Sequence, residues 1–397
     1  MDFILYDGIE WRSLFPITLT RSVSEIRLGL FTIKDRWEKY IGNKVSGIVT
    51  QPFLSMKYSF NSLINNEFIY HNILLINSSF LPNEELINMI FTLKENEAVF
   101  FQEKIVVVKK NFSSYVKKEN LISFKKKHEI KNLIHIQYPW DIFINNKTVL
   151  KKDFVFFTKG KKSFSLLGKN SVLCKNRIFL EEDIKANNVV LNAQLGPIYI
   201  EKEVEIMEGS VIRGPAFIGN KSILNIGSKI YGGTTIGRSC KIGGEIINSV
   251  IFSYSNKAHD GFLGNTVLGE WCNLGAGTNV SNLRNDYGKV TVWNYEKKDF
   301  IPIDIQFFGM IVGDHSKSGI NTQFNTATVV GVSASIFGYG FSPRYVPSFS
   351  FGGIQKKKKI PFHQVCTTAD IMMKRRNLYF SILDKKILEY LYQLLDI

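Results

Sequence analysis

The chain is poor in cysteine and short of acid. Its four cysteines, Cys174, Cys240, Cys272 and Cys366, lie far apart with no CxxC pair. That excludes a disulfide framework and a cysteine zinc site, and it fits buried thiols in a reducing compartment. No stretch approaches 18 uninterrupted apolar residues, so no spanning helix is expected. The start, Met1-Asp2-Phe3-Ile4-Leu5-Tyr6-Asp7-Gly8, has no basic segment and only a four-residue apolar run. A secretory signal is therefore not expected, and the expected location is cytoplasmic. Asp and Glu number 35 against 50 Lys and Arg, a net charge of +15. Such a balance suits phosphate-bearing partners or an anionic membrane surface. Yet the lysines sit in scattered pairs (Lys109-Lys110, Lys117-Lys118, Lys151-Lys152, Lys161-Lys162), and aromatics do not interleave with them as stacking platforms would. Nucleic acid and membrane are not the expected partners, and most of the charge is background.

What the chain has is length, apolar content and a period. Its 397 residues, 45% of them apolar, suggest two domains and an appendage around a sizeable core. Positions 200, 206, 212, 218, 224, 230, 236 and 242 are all Ile or Leu. The same spacing returns at Leu268, Leu274 and Val280, and again at Val312, Phe324, Val330 and Ile336. Six fits neither a helix nor an ordinary strand. It fits hexapeptide β-helix repeats, in which each hexad supplies one short strand, one inward aliphatic side chain and one corner. The phase slips between Ile242 and Leu268 and between Val280 and Val312. Both slips read as insertions, the second holding a hairpin strand over 290–295. Inserted segments of repeat arrays tend to mark the binding face.

The first half alternates strand-like runs (3–6, 71–76, and two within 97–110) with helical spacing over 26–40 and a helix capped by Asn83. That pattern is an α/β layer domain, in which the loop after Tyr6 is a natural phosphate position. The tail opens on Lys356-Lys357-Lys358-Lys359, read as a solvated linker, and continues as two helices. The expected cuts are 1–165, 166–355 and 356–397.

Val211-Ile212-Arg213-Gly214-Pro215-Ala216, Asn256-Lys257-Ala258-His259, Leu263-Gly264, Cys272-Asn273-Leu274-Gly275-Ala276-Gly277-Thr278 and Pro139-Trp140-Asp141 carry a family resemblance. The chain resembles the bifunctional N-acetylglucosamine-1-phosphate uridylyltransferases fused to a glucosamine-1-phosphate acetyltransferase, in a bacterial variant with a shortened first domain. The resemblance implies a shortened nucleotidyltransferase-like α/β domain, a left-handed parallel β-helix and a short helical tail. It implies His259 as general base on an amine, with Asn273, Ala276, Asn282 and Arg213 contacting substrate or the acyl-coenzyme A. It implies Gly8, Arg12 and Arg21 on nucleotide phosphates and Asp141 on Mg²⁺. Acetyl-coenzyme A is the implied co-substrate, nucleotide and sugar phosphate the other ligands, and a homotrimer the implied assembly.

The departures cluster at ligand positions. Glu10 replaces a phosphate-loop glycine and places a carboxylate where a phosphate belongs. Val23 replaces a lysine, and Asn77 or Ser78 replaces a metal-binding aspartate. Tyr231, Ile247 and Phe262 replace polar contacts to the amino-sugar phosphate, with Arg213, Lys229 and Lys257 as the remaining nearby cations. His315 reads as a corner residue. Two functions stay open: a nucleotidyltransferase fused to an acyltransferase in nucleotide-sugar biosynthesis, or a hexapeptide-repeat protein that binds nucleotide sugars with one or both halves silent.

Overall fold

The computed structural model describes residues 1–58, 69–113, 124–353 and 357–394. The Lys117-Lys118 pair and Lys356 lie outside the described residues. The strand-like runs of the first half form a six-stranded mixed sheet. Its order is Gly47–Val49, Phe3–Tyr6, Ile69–Asn77, Lys104–Ser113, Glu97–Phe101, Lys126–Glu129. The first three strands are parallel neighbours, and Ile69–Asn77 runs antiparallel to Lys104–Ser113. Alternation along Phe3-Ile4-Leu5 sends Phe3 and Leu5 to one face, where Trp37, Leu86, Ile142 and Phe143 of the helices cover them. Ile4 joins Ile73 and Leu75 on the opposite face.

Asn83 caps the helix Glu84–Thr92 as expected, its Oδ1 accepting from the Leu86 N–H at 2.8 Å. The helix read over 26–40 begins only at Ile33. Gly29, at φ +63°, turns the chain back so that Arg27–Leu28 pairs with Phe31–Thr32. Thr32 Oγ1 then caps the helix through the Asp35 N–H at 3.1 Å.

From Ser171 onward the chain winds as a parallel β-helix with three strand faces. Face one has nine strands, from Ile178–Leu180 to Tyr345–Val346. Face two begins at Lys185–Ala186, and face three runs from Ser171–Leu173 to Phe262–Gly264. The aliphatic residues of the six-residue period, Ile200 through Ile242 among them, are all buried in one cluster. The first phase slip is not an insertion. Coils registered at 18 residues (Leu224 on Ile242) shorten to 15 (Ile242 on Lys257, Ile236 on Ile251), so the interruption is a deletion at a corner. The second slip is an insertion, because Leu268 pairs with Val312 and the residues between carry the hairpin Thr291–Asn294 with Asp299–Pro302. That hairpin folds onto the first domain, with Tyr295 edge-on to Phe15 at 5.7 Å. The Lys run is no free linker either, since Lys357–Lys359 pairs antiparallel with Ser350–Gly352.

The outward side of face one explains how the domains join. Its ladder reads Phe179, Tyr199, Phe217, Thr235, Val250, Val267, Ile311, Val329. An outward apolar ladder must be covered, and the long helix Pro139–Thr158 crosses it. Asn146 of that helix donates to Gly233 O (2.7 Å) and accepts from the Gly29 N–H (2.6 Å) and Thr235 Oγ1 (3.0 Å), all buried. Arg21 goes deeper. Its guanidinium is ion-paired with Asp314, lies 3.6 Å from Glu270 and stacks over Phe252, while Thr20 donates to the same Asp314 oxygen at 2.6 Å. Burial works against its charge, but Asp314 and Glu270 hold the Arg21 pKa above its ordinary value.

Breaking a buried pair strands a charge and costs about 3–5 kcal/mol. Arg21→Met should lower unfolding free energy by about that amount in urea titration, and Arg21→Met/Asp314→Ala by clearly less than the sum of the single variants.

Candidate functional site

At the carboxyl ends of Gly47–Val49 and Phe3–Tyr6 lies a cavity of about 440 Å³, lined by Tyr6, Gly8, Trp11, Arg12, Gln51, Leu75, Ile105 and Val108. Parallel strands place ligands at such ends. Asp7 shapes the loop by accepting from Ser22 Oγ (2.9 Å), the Val23 N–H (3.0 Å) and Thr50 Oγ1 (2.6 Å). A Cβ at position 8 would meet the Glu10 carboxylate and the Asn77 side-chain amide, so a larger residue there would displace Glu10 from its present place. Arg12 is exposed at the cavity wall, and its guanidinium has no partner among the described residues.

Three expectations for this half meet a different arrangement. Glu10 does not line the cavity. Only 2% exposed, it turns inward, with Oε1 3.1 Å from His135 Nε2 and 3.8 Å from Lys104 Nζ. Burial would raise its pKa, but the His135 hydrogen bond and the Lys104 charge hold it below the usual range. Arg21 lies in the interdomain ion pair and not on this cavity. Asp141 sits in the first turn of its helix, its Oδ2 accepting from the Gln137 (2.9 Å) and Tyr138 (2.7 Å) N–H groups. Burial raises its pKa, against the pull of those amides. Asn77, at the strand end where the resemblance implies a metal-binding aspartate, has its Oδ1 bonded to Ser79. Among the described residues no group of three or more His, Cys, Asp or Glu could hold a metal ion. These residues do not fit a resident Mg²⁺.

In the β-helix, Asn256 registers with Asn273, and Asn256 Nδ2 donates to Asn273 Oδ1 at 3.2 Å. The same 17-residue offset puts the exposed His259 beside Ala276 in the next coil, where the Gly277 N–H donates to Asp260 O at 3.1 Å. His259, Asn273 and Ala276 therefore share one corner. Asn282 and Phe262 flank Gly264 on the adjoining face, with Asn282 Nδ2 donating to Asn265 Oδ1 at 2.8 Å. Arg213 is not brought there. It lies three strands away along face three, about 14 Å at strand spacing. Lys257 cannot serve as a surface cation. It occupies an inward position, fully buried, and its Nζ donates to the carbonyls of His259 and Asp260. His315 is also buried, in a corner beside Trp271, and burial lowers its pKa to about 4.

Glu296, from the inserted hairpin, reaches the 440 Å³ cavity. It was missed because nothing in a strand–turn–strand string tells where its tip docks. A larger cavity of about 830 Å³ lies between the helix Ile33–Ile41 and face one. Three of its carboxylates are already engaged, Glu201 by Arg238 at 3.2 Å, Glu181 by the Tyr199 hydroxyl at 2.6 Å and Glu38 by Lys44 at 2.8 Å. It holds none of the expected site residues.

The comparisons with known proteins bear on both halves. Residues 3–162 match the family model described as sugar nucleotidyl transferase. Residues 3–162 are thus similar to sugar nucleotidyl transferases. The chain is also 27% identical over 265 residues to a Sulfurisphaera tokodaii protein named bifunctional sugar-1-phosphate nucleotidylyltransferase/acetyltransferase, covering 65% of this chain and 59% of that one. It is 28% identical over 180 residues to the bifunctional protein GlmU of Methanococcus aeolicus (44% of this chain, 42% of that one). Against GlmU of Methanocaldococcus jannaschii the figure is 29% over 237 residues (57% and 48%). The chain thus spans about half the length of these curated relatives. No helix among the described residues is long and apolar enough to cross a membrane.

Burial lowers the Lys257 pKa from 10.5 to about 8. An unfolded lysine binds more protons than this one between those values, so stability rises with pH across that window. The stability of the wild type relative to Lys257→Met should therefore increase between pH 8 and pH 10.5, measured by urea unfolding of both at each pH. A difference independent of pH contradicts the buried placement.

Proposed function

We propose that the chain is a sugar-1-phosphate nucleotidyltransferase fused to an acetyl-coenzyme A-dependent acyltransferase, acting in nucleotide-sugar biosynthesis in the cytoplasm. The observation that carries this reading is the pairing of two sites on one chain. One is the Gly8–Arg12 cavity at the strand ends of a sugar nucleotidyl transferase domain. The other is the His259–Ala276 corner of the β-helix. The bifunctional names of the relatives point the same way.

In the first site the apolar walls (Leu75, Ile105, Val108) take a nucleobase, the Gly8 loop leaves room for phosphate, and Arg12 supplies a free cation. No step here runs through a protein-held metal, because Asp141 and Asn77 are committed to local hydrogen bonds. Any Mg²⁺ arrives with the nucleotide as part of the substrate. In the second site an amine attacks the thioester carbonyl of acetyl-coenzyme A. A carbon–nitrogen bond forms, the carbon–sulfur bond breaks, His259 takes the amine proton, and the thiolate leaves and is protonated. Lys257 holds the carbonyls of the His259–Asp260 turn from inside the core and so fixes where the imidazole stands. Asn273, through Asn256, and Asn282, through Asn265, offer polar edges on either side. Ile247 and Phe262 make the acceptor side apolar, which suits an acceptor other than glucosamine-1-phosphate. The half-buried Ile247 and Phe262 on face three suit the flank of a second copy, consistent with a homotrimer.

A second reading is an acyltransferase whose first domain binds nucleotide without turning it over. The engagement of Arg21 and Asp141 favours it.

Two assays separate the readings. Pyrophosphate release is measured with UTP and a panel of sugar-1-phosphates, and free thiol with acetyl-coenzyme A and a panel of amino sugars. Both activities are expected in the wild type. His259→Ala should lose at least 100-fold of thiol release, about the value of a positioned general base, and keep pyrophosphate release. Thiol release alone favours the second reading, and neither product from any pair refutes the first.

A further inference from the structure

The hairpin inserted in the β-helix ends at the mouth of the nucleotide cavity, a placement that the two-site reading leaves unused. Its stem is fixed to both domains. Trp293 stacks on Tyr345 at 4.0 Å, Tyr295 meets Phe15, and Arg344 Nη1 donates to Thr291 Oγ1 at 2.8 Å while lying over the Phe300 ring. The turn is fixed too, because Asn294 Oδ1 accepts from the Glu296 (3.0 Å) and Lys297 (2.8 Å) N–H groups. Glu296 therefore has a defined place. It lines the 440 Å³ cavity together with Arg12, and the two line the neighbouring cleft as well. Neither side chain has an ion pair among the described residues, and the two are not paired with each other. Two opposite charges from different domains thus stand at one mouth, each without a partner in the described residues.

We propose that the nucleotide pocket is composite, with the hairpin of the β-helix as its outer wall and Glu296 as the residue that selects ribonucleotides. This rests on the first domain binding a nucleotide. The apolar interior has the chemistry for a base, which leaves ribose and phosphates at the charged mouth. Arg12 matches phosphate. A carboxylate would repel phosphate but accepts two hydrogen bonds, and the vicinal 2′- and 3′-hydroxyls of ribose donate two. A 2′-deoxynucleotide offers only one and leaves a carboxylate oxygen unsatisfied on binding.

The test is calorimetric binding of UTP, ATP, GTP and CTP and of their 2′-deoxy counterparts to the full chain. The wild type should bind its preferred ribonucleotide about tenfold or more tightly than the deoxy form, the scale of a hydrogen bond to a charged group. Glu296→Ala, at an exposed turn, should fold normally by circular dichroism and bind the two forms within about twofold of each other. Glu296→Gln, which keeps an acceptor without the charge, should fall between. Glu296→Ala retaining the full ribose preference overturns the inference while nucleotide binding stands. A wild type that binds ribo- and deoxynucleotides equally also overturns it. A wild type that binds no nucleotide overturns the nucleotide reading and this inference with it.

Discussion

A buried guanidinium is costly unless its charge is compensated, and the pairing that compensates Arg21 ties this molecule together. Arg21 belongs to a loop of the first domain, while Asp314 and Glu270 belong to corners of two successive coils of the β-helix. The charges meet beneath a seam that is otherwise apolar. The outward ladder of face one supplies the area of that seam, but area alone is non-directional. The ion pair, the Thr20 hydrogen bond and the three bonds of Asn146 add direction, so the first domain docks in one register on the rod. Buried networks of this kind are costly to leave half-made, which favours a single arrangement.

Everything near the cavity at the Gly8 loop follows from that docking. The inserted hairpin cannot swing free as a surface loop of the β-helix, because the docked domain presents Phe15 against Tyr295. The cavity at the Gly8 loop acquires a wall from the other domain. The tail completes the clasp, its last helix stacking Tyr390 on Phe53 of the first domain at 4.3 Å and pairing Asp384 with Lys57. By contrast, the His259 corner lies on exposed β-helix surface, with Lys257 holding it from within and Arg376 of the tail donating to Asn256 Oδ1 at 2.9 Å.

Periodicity made the rod legible. Each aliphatic residue of the six-residue pattern points inward into the buried cluster of the rod, and a count of residues finds it. The same count misjudged the first phase slip, since two residues past a multiple of six reads equally as a longer or a shorter coil. The register of Ile236 on Ile251 shows the shorter one. The helix over 26–40 lost nearly half its length to a turn at Gly29, because the apolar spacing of a tight hairpin imitates that of a helix over so short a span. The proximity of His259 and Ala276 was legible, because they stand one repeat offset apart. Site residues were not legible where the partner is distant. No local pattern links Arg21 to a residue 293 positions on, or Glu296 to Arg12. Glu10 and Asp141 were read by position in a motif, and the side chains turned out to serve His135 and a helix end.

The central claim is that the two domains behave as one cooperative body. Native-state hydrogen exchange in increasing urea tests it most directly. The amides of Phe3–Tyr6 in the first domain and of the face-one strands of the β-helix should converge on one opening free energy and one denaturant slope. Exchange of Phe3–Tyr6 through an opening of much lower free energy, with the β-helix still protected, would contradict the account.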